Sequence, residues 1–167
     1  MINADELVAY ARSFVGQKER PSNTGFQKVD FDNMMREQGF KTGFSWCAIF
    51  CKLVFDKFLD KSFMPIFSLS AVKTYNNFIT IRPKSRKLIP SKGAMVVWQR
   101  HKNGVPTWQG HIGIVSEVID KNKFKSIEGN GNKEGGSEGK EVVEIERPLD
   151  FSVKKNGLVL LGFVDLI

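Results

Sequence analysis

Residues 45–59 read SWCAIFCKLVFDKFL, and apolar side chains would cover most of the circumference of a helix built from this stretch. A helix that is apolar on nearly all sides is a buried one. We therefore predict a central buried helix over Trp46–Leu59, with Ser45 as its N-cap. Cys47 then lies in the first turn of that helix.

Three further helices and five strands are predicted around it. The helices are Ala4–Val15 with Asn3 as N-cap, Asp32–Gln38, and Ser70–Phe78. The strands are Ala94–Gln99, His111–Val118, Phe124–Glu128, Val142–Arg147 and Leu158–Leu166. Five glycines within 129–140 predict a mobile loop. Helices first and strands second predict an α+β fold, with N-terminal helices packed on a C-terminal antiparallel sheet of about five strands.

Length and charge limit the class of protein. The 167 residues are enough for one core, and no linker or repeat divides them, so we predict a single domain over 1–167. The formal net charge of +7 favours a polyanionic partner such as an anionic cell-wall polymer. No basic and aromatic strand pattern typical of a nucleic-acid reader is visible, so nucleic acid is not an expected partner. We expect a monomer.

The N-terminus has neither the basic region nor the apolar region of a signal peptide. No stretch approaches the roughly 20 apolar residues of a membrane helix, so no membrane insertion is expected. We expect synthesis in the cytoplasm without a signal peptide. Action elsewhere would then follow release or delivery by another system.

Cys47 has the position of an activated thiol. Only the thiolate is a strong nucleophile, and a free thiol with a pKa of about 8.5 gives little of it at neutral pH. The partial positive charge at a helix N-terminus favours the anion, and an unpaired backbone N–H there could face a developing oxyanion. The competing interpretation is that Cys47 is a small buried apolar residue.

His111 supplies a base for this thiol. It lies in GHIGIV, residues 110–115, which reads as a strand, and IEGN, residues 127–130, follows one strand later. In an antiparallel pairing, alternation puts His111 on one face with both Glu128 and Asn130. Either of these could orient the imidazole. The set predicts a cysteine nucleophile that hydrolyses an amide bond through a thioester.

Other roles for the cysteines and histidines fit less well. His101 lies in a polar, basic stretch that predicts a solvated loop histidine. Cys47 and Cys51 are one helical turn apart, which does not favour a disulfide. Cys-x3-Cys with two distant histidines fits no common structural zinc pattern, so neither a metal nor another cofactor is expected.

Four motifs in this order resemble the CHAP branch of the NlpC/P60-like cysteine peptidases and amidases, which act on peptidoglycan. They are WCA at 46–48, PSKGAMVVW at 90–98, GHIGIV at 110–115 and IEGN at 127–130. The likeness extends from about Phe14 to the C-terminus. One departure is Ser45, which stands where many relatives have proline.

The resemblance implies a papain-like α+β fold in which Cys47 is the nucleophile, His111 the general base, and Glu128 the third residue with Asn130 beside it. Trp46 and Trp108 would bind substrate along the groove, whereas Trp98 would pack in the core. Some relatives bind calcium near the nucleophile, but Asp30 and Asp32 fit a helix cap better than a calcium site.

The leading hypothesis is therefore a peptidoglycan amidase or endopeptidase. A phage lysin, a phage-tail component and a secreted antibacterial effector all fit. A second hypothesis is a cysteine hydrolase or acyltransferase acting on a protein, with the same reactive residues. A third is a non-catalytic module that binds the cell wall.

Overall fold

The computed structural model describes residues 2–131 and 139–167. The first half is helical, with α1 (Ala4–Arg12), α2 (Val29–Glu37), α3 (Cys47–Asp56) and α4 (Ala71–Ile81). The second half contains the strands β1 (Arg86–Lys87), β2 (Met95–Lys102), β3 (Val105–Asp120), β4 (Lys123–Gly131), β5 (Glu141–Pro148) and β6 (Gly157–Val164). The prediction of an α+β fold with helices before an antiparallel sheet is confirmed.

All strand pairings are antiparallel, and the order across the sheet is β1-β6-β2-β3-β4-β5. The described sheet has six strands rather than about five, because the two residues of β1 pair with the end of β6. So short a strand gives no periodic signal in the sequence. The long central strands β3 and β4 are the ones that lie against α3.

The sheet separates two apolar clusters because alternate side chains point to opposite faces. One face carries Met95, Val97, Ile112, Ile114 and Ile127, which pack against the buried side of the helices. The other face carries Ala94, Val96, Trp98, Val115, Phe124, Leu160 and Phe163, which form a second cluster without helical residues. The continuous apolar run of β2 is thus explained by burial on both faces.

Helix boundaries follow from their caps. The side chain of Asn3 accepts hydrogen bonds from the backbone N–H groups of Asp5 and Glu6, as the predicted N-cap should. Ser70 likewise caps α4. Ser45 does not cap α3, which begins at Cys47 and has Trp46 in the cap position without any side-chain capping bond.

The hairpin of β2 and β3 is longer than predicted. Its turn is Asn103–Gly104, and both residues have positive φ, 52° and 78°. Asn-Gly is the favoured pair for a two-residue hairpin turn, so this signal was present in the sequence. The predicted solvated loop at His101 is therefore wrong, since His101 belongs to β2 and is buried.

Most of the predicted loop at 129–140 lies outside the described residues. The part that is described shows Gly129–Gly131 as the last residues of β4. No helix in the described part of the chain combines the length and the apolar character that a membrane crossing requires.

Candidate active site

Cys47 is the first residue of α3 and is 5% exposed. Because no side chain caps this helix, the backbone N–H groups of its first turn are not taken by a capping side chain. Cys47 also lies in the wall of a surface groove. The other lining residues are Ser45, Leu69, Ser70, Ala71, Arg100, Trp108, Gln109, Gly110 and Asn130.

His111 lies in β3 and is completely buried. Its Nε2 is 2.7 Å from Oε2 of Glu128. Its Nδ1 has no fully formed hydrogen bond within residues 2–131 and 139–167, yet the thiol of Cys47 is close enough to raise the pKa of His111. Since Glu128 occupies Nε2, Nδ1 is the nitrogen that can exchange a proton with the thiol.

Glu128 is a buried carboxylate with three partners. Besides His111, the hydroxyl of Ser126 donates to Oε1 at 2.5 Å. Arg147 donates from Nε to Oε1 at 2.8 Å and from Nη2 to Oε2 at 2.5 Å. The sequence allowed either Glu128 or Asn130 to be the partner of the imidazole. In the structure, the residue in contact with His111 is Glu128.

The two buried groups shift each other's pKa in opposite directions. Burial alone would lower the pKa of His111, but the charge of Glu128 and the contacts with Cys47 and Glu128 raise it to about 9. Burial alone would raise the pKa of Glu128, but the hydrogen bond from Arg147 and the interactions with His111 lower it to about 2. At neutral pH the structure therefore favours an imidazolium beside a carboxylate.

Glycines make the approach of these elements possible. A Cβ on Gly129 would lie 2.6 Å from Cβ of Phe50 in α3, and a Cβ on Gly113 would lie 2.7 Å from Cγ of Glu128. A Cβ on Gly110 would lie 2.7 Å from Cγ2 of Val72 in α4. These positions let both helices lie close to the sheet and leave Glu128 room to reach His111.

Asn130 and Trp108 both line the groove that contains Cys47. Asn130 is 7% exposed and has a positive φ of 54°, close to an irregularity in the β4–β5 pairing. Trp108 is 76% exposed, which is unusual for so large an apolar side chain. Both side chains therefore share the wall of the groove with Cys47.

Trp46 does not line the groove, so the prediction that it binds substrate there is wrong. Its ring is fully buried, with the ring of Phe26 4.9 Å away edge-on. Its indole N–H donates to Oε2 of Glu19 at 2.8 Å. Trp46 thus anchors the start of α3 in the core, and Trp98, as expected, is a core residue too.

Two other candidate residues, Cys51 and Asp32, do not line the groove. Cys51 is fully buried one turn after Cys47, and burial raises its pKa well above the usual range. Asp32 accepts a hydrogen bond from the backbone N–H of Phe26 at 2.8 Å and pairs with Arg36 at 2.8 Å. Its carboxylate thus ties the loop after α1 to α2. Across the described ranges, no group of three His, Cys, Asp or Glu side chains is arranged to hold a metal ion.

The prediction from sequence missed Arg147. It is opposite Phe124 in the β4–β5 register, and its guanidinium extends from there to Glu128. The available signal was the alternation of side chains along a strand. In this antiparallel pairing, Phe124, Ser126 and Glu128 lie on the same face as Arg147. Without a fixed register, that signal was not enough.

A thiol at a helix tip, a strand imidazole and a buried carboxylate define a candidate cysteine hydrolase site on an α+β fold. The CHAP domain family matches residues 39–130, which is more than half of the chain and includes Cys47, His111, Glu128 and Asn130. The chain therefore belongs to the CHAP domain family. This family is associated with peptidoglycan hydrolysis, and membership supports an amidase or peptidase role on peptidoglycan. No curated protein and no solved structure matches the chain.

Proposed function

We propose that this protein cleaves an amide bond in peptidoglycan through a thioester intermediate, with Cys47 as nucleophile, His111 as general acid and base, and Glu128 as the group that orients His111. The observation that carries the proposal is the chain of contacts from Cys47 to His111 to Glu128 at the wall of an open groove. Those three residue types in that order activate a thiol.

The raised pKa of His111 sets the starting state. With this pKa, His111 is a base strong enough to take the thiol proton of Cys47, and the sulfur then attacks the amide carbonyl carbon as a thiolate. The C–N bond then breaks, and the leaving amine takes the proton from His111. His111, now neutral, removes a proton from the water that hydrolyses the thioester.

The groove provides the remaining functions. The uncapped first turn of α3 offers backbone N–H groups to the oxyanion of the tetrahedral intermediate. Trp108 offers an exposed apolar face for a sugar or a peptide, and Asn130 offers an amide that can bind a substrate carbonyl.

The setting of this activity is part of the same proposal. The net charge of +7 suits a wall that carries anionic polymers, so we place the activity at the cell wall. A phage lysin, a phage-tail component and a secreted antibacterial effector are settings that fit a cell-wall hydrolase of this kind.

The test compares Cys47→Ala with Cys51→Ala on purified sacculi. Both changes remove a thiol from the same helix, but only Cys47 faces His111. We expect wild type and Cys51→Ala to release new amino groups, and Cys47→Ala to reduce that release by at least roughly a thousandfold.

Mass spectrometry of the fragments from defined muropeptides then identifies the bond that is cut. Equal release by wild type and Cys47→Ala would refute the proposal. Cleavage of an isopeptide or glutamine substrate with sacculi left intact would instead support a protein substrate.

A further inference from the structure

We propose that Arg147 is a positioning residue that fixes Glu128 as an anion, so that Cys47 and His111 exchange their proton within a site of balanced charge. The inference takes the roles of Cys47 and His111 from the proposed function. It adds Arg147 to the set of Cys47, His111 and Glu128. Arg147 lies in β5, outside the residues 39–130 that the family matches.

The first support is the geometry of the carboxylate. Each oxygen of Glu128 accepts two hydrogen bonds, Oε1 from Ser126 and Arg147 and Oε2 from His111 and Arg147. A carboxylate with about four acceptor positions is then fully occupied and cannot rotate away from the imidazole. The two-pronged contact from one planar guanidinium gives the carboxylate a single orientation.

The second support is the shielding of the cation. The side chain of Arg147 is 12% exposed, and its guanidinium carbon lies 4.9 Å from the ring centroid of Trp98. The ring centroid of Trp98 is in turn 5.9 Å from that of His111, and Trp98 stacks on Phe124. One buried ring therefore borders both the cation and the base, and solvent does not screen the charge of Arg147 as it screens a surface pair.

The third support is the count of charges. The count covers the four linked groups Cys47, His111, Glu128 and Arg147: with a neutral thiol and a neutral imidazole, Glu128 and Arg147 carry the charges, and these sum to zero. With a thiolate and an imidazolium the sum is again zero. Without Arg147, the reactive state would place one uncompensated negative charge in a buried site, which is costly.

The titratable or charged groups that interact with one another around His111 and Glu128 come from four elements. They are Cys47 and Cys51 of α3, His111 of β3, Glu128 of β4 and Arg147 of β5. From β2, the uncharged Trp98 borders His111, and the cation Arg100 lines the same groove as Cys47. The helix α4 approaches β3 with the uncharged Val72. Among the described groups that contact Glu128, Arg147 is the permanent cation.

The experiment measures how the rate of alkylation of Cys47 by iodoacetamide depends on pH, in the full chain and without any substrate. The reaction of Cys47→Ala measures the contribution of Cys51 and is subtracted. In Arg147→Met we expect the midpoint of the rate profile to rise by roughly one pH unit, because removing a nearby cation disfavours the thiolate. In Arg147→Lys, which keeps the charge, we expect less than half of that rise.

The matched control is Arg12→Met. Arg12 makes the same two-pronged contact with Glu144, but that pair is more exposed than Arg147 and Glu128, and neither residue lines the groove that contains Cys47. We expect a wild-type midpoint. If Arg147→Met does not fold, Arg147→Gln replaces it, since Gln keeps hydrogen-bond donors while losing the charge.

A wild-type midpoint in the neutral variant would overturn the proposal. So would an equal rise in the Lys variant and the neutral variant, because a purely structural role does not depend on charge. Because alkylation needs no substrate, these outcomes are independent of whether sacculi are cleaved.

Discussion

His111 and Glu128 hold charges that depend on each other across a 2.7 Å contact. The pKa of His111 is high because Glu128 is ionised, against the effect of burial. At the scale of single residues, this dependence gives the site a recognisable response to pH.

We expect Glu128→Gln to move the alkaline limb of the activity profile to lower pH by roughly one to two units. Without the carboxylate charge, burial lowers the pKa of His111, so the imidazolium loses its proton earlier as the pH rises. The measurement is kcat/KM between pH 5 and 10.

The matched control is Glu117→Gln, which neutralises an exposed carboxylate on the same strand as His111. Its profile should match that of wild type. An alkaline limb that stays in place in Glu128→Gln would show that Glu128 does not govern the protonation of His111.

That Cys47, His111 and Glu128 lie close together could be predicted because few residues compete for the roles of thiol and base. Two cysteines and two histidines leave few pairings, and strand alternation puts His111 on one face with Glu128. Trp46 was misassigned because an aromatic residue beside a thiol suggests a groove, whereas the indole N–H is satisfied by Glu19 in the core.

At the scale of elements, β3 and β4 can bring His111 and Glu128 into contact because β3 has no side chain at Gly113. The built position of a Cβ there is 2.7 Å from Cγ of Glu128 and 3.1 Å from the carbonyl oxygen of Ile127. The space that the missing side chain leaves is occupied by the side chain of Glu128, with its Cγ closest.

We expect Gly113→Ala to lower kcat by roughly tenfold to a hundredfold, because the methyl group displaces Glu128 from its contact with His111. Steady-state kinetics measure the loss, with thermal unfolding recorded alongside.

The double variant with Glu128→Ala tests the cause, since Ala has no Cγ to collide with. Gly113→Ala should add no further loss in that background. A full additional loss would mean that the methyl group acts through another neighbour.

Element types could be predicted better than element ends. The helices and main strands were found from periodicity, but the β2–β3 hairpin extends to Asn103–Gly104 because its turn residues favour a tight hairpin over a loop. Arg147 was missed because the glycine-rich connection between β4 and β5 specifies no turn type in the sequence. The register that brings Arg147 to Glu128 therefore could not be assigned.

At the scale of the whole molecule, the buried charges join three neighbouring strands. His111, Glu128 and Arg147 come from β3, β4 and β5, so their ion pairs contribute to the stability of the sheet as well as to the chemistry. The free energy of unfolding should therefore change with pH in a way that the two shifted groups determine.

We expect the free energy of unfolding to be largest between about pH 5 and 6.5. The lowered pKa of Glu128 gives stabilisation that is present above its unfolded value of 4.5 and is lost as the pH falls through about 2. The raised pKa of His111 gives stabilisation that is present below 6.5 and is lost as the pH rises through about 9. Urea unfolding followed by tryptophan fluorescence measures both limbs.

Glu128→Gln should flatten both limbs, because it removes the charge on which each depends. Parallel curves for wild type and Glu128→Gln would place the pH dependence in other groups, such as the ion pairs of Asp32.

The N-terminus of α3, which has no capping side chain, also limits how this protein can be made more heat-resistant. A polar cap at a helix start typically adds about 1 kcal/mol, but position 46 holds an indole whose removal from the core would cost about 3–5 kcal/mol. A new cap would also occupy the backbone N–H groups that we propose as donors to the oxyanion. An engineer would do better at Lys28, where α2 also begins without a capping side chain and far less packing would be lost.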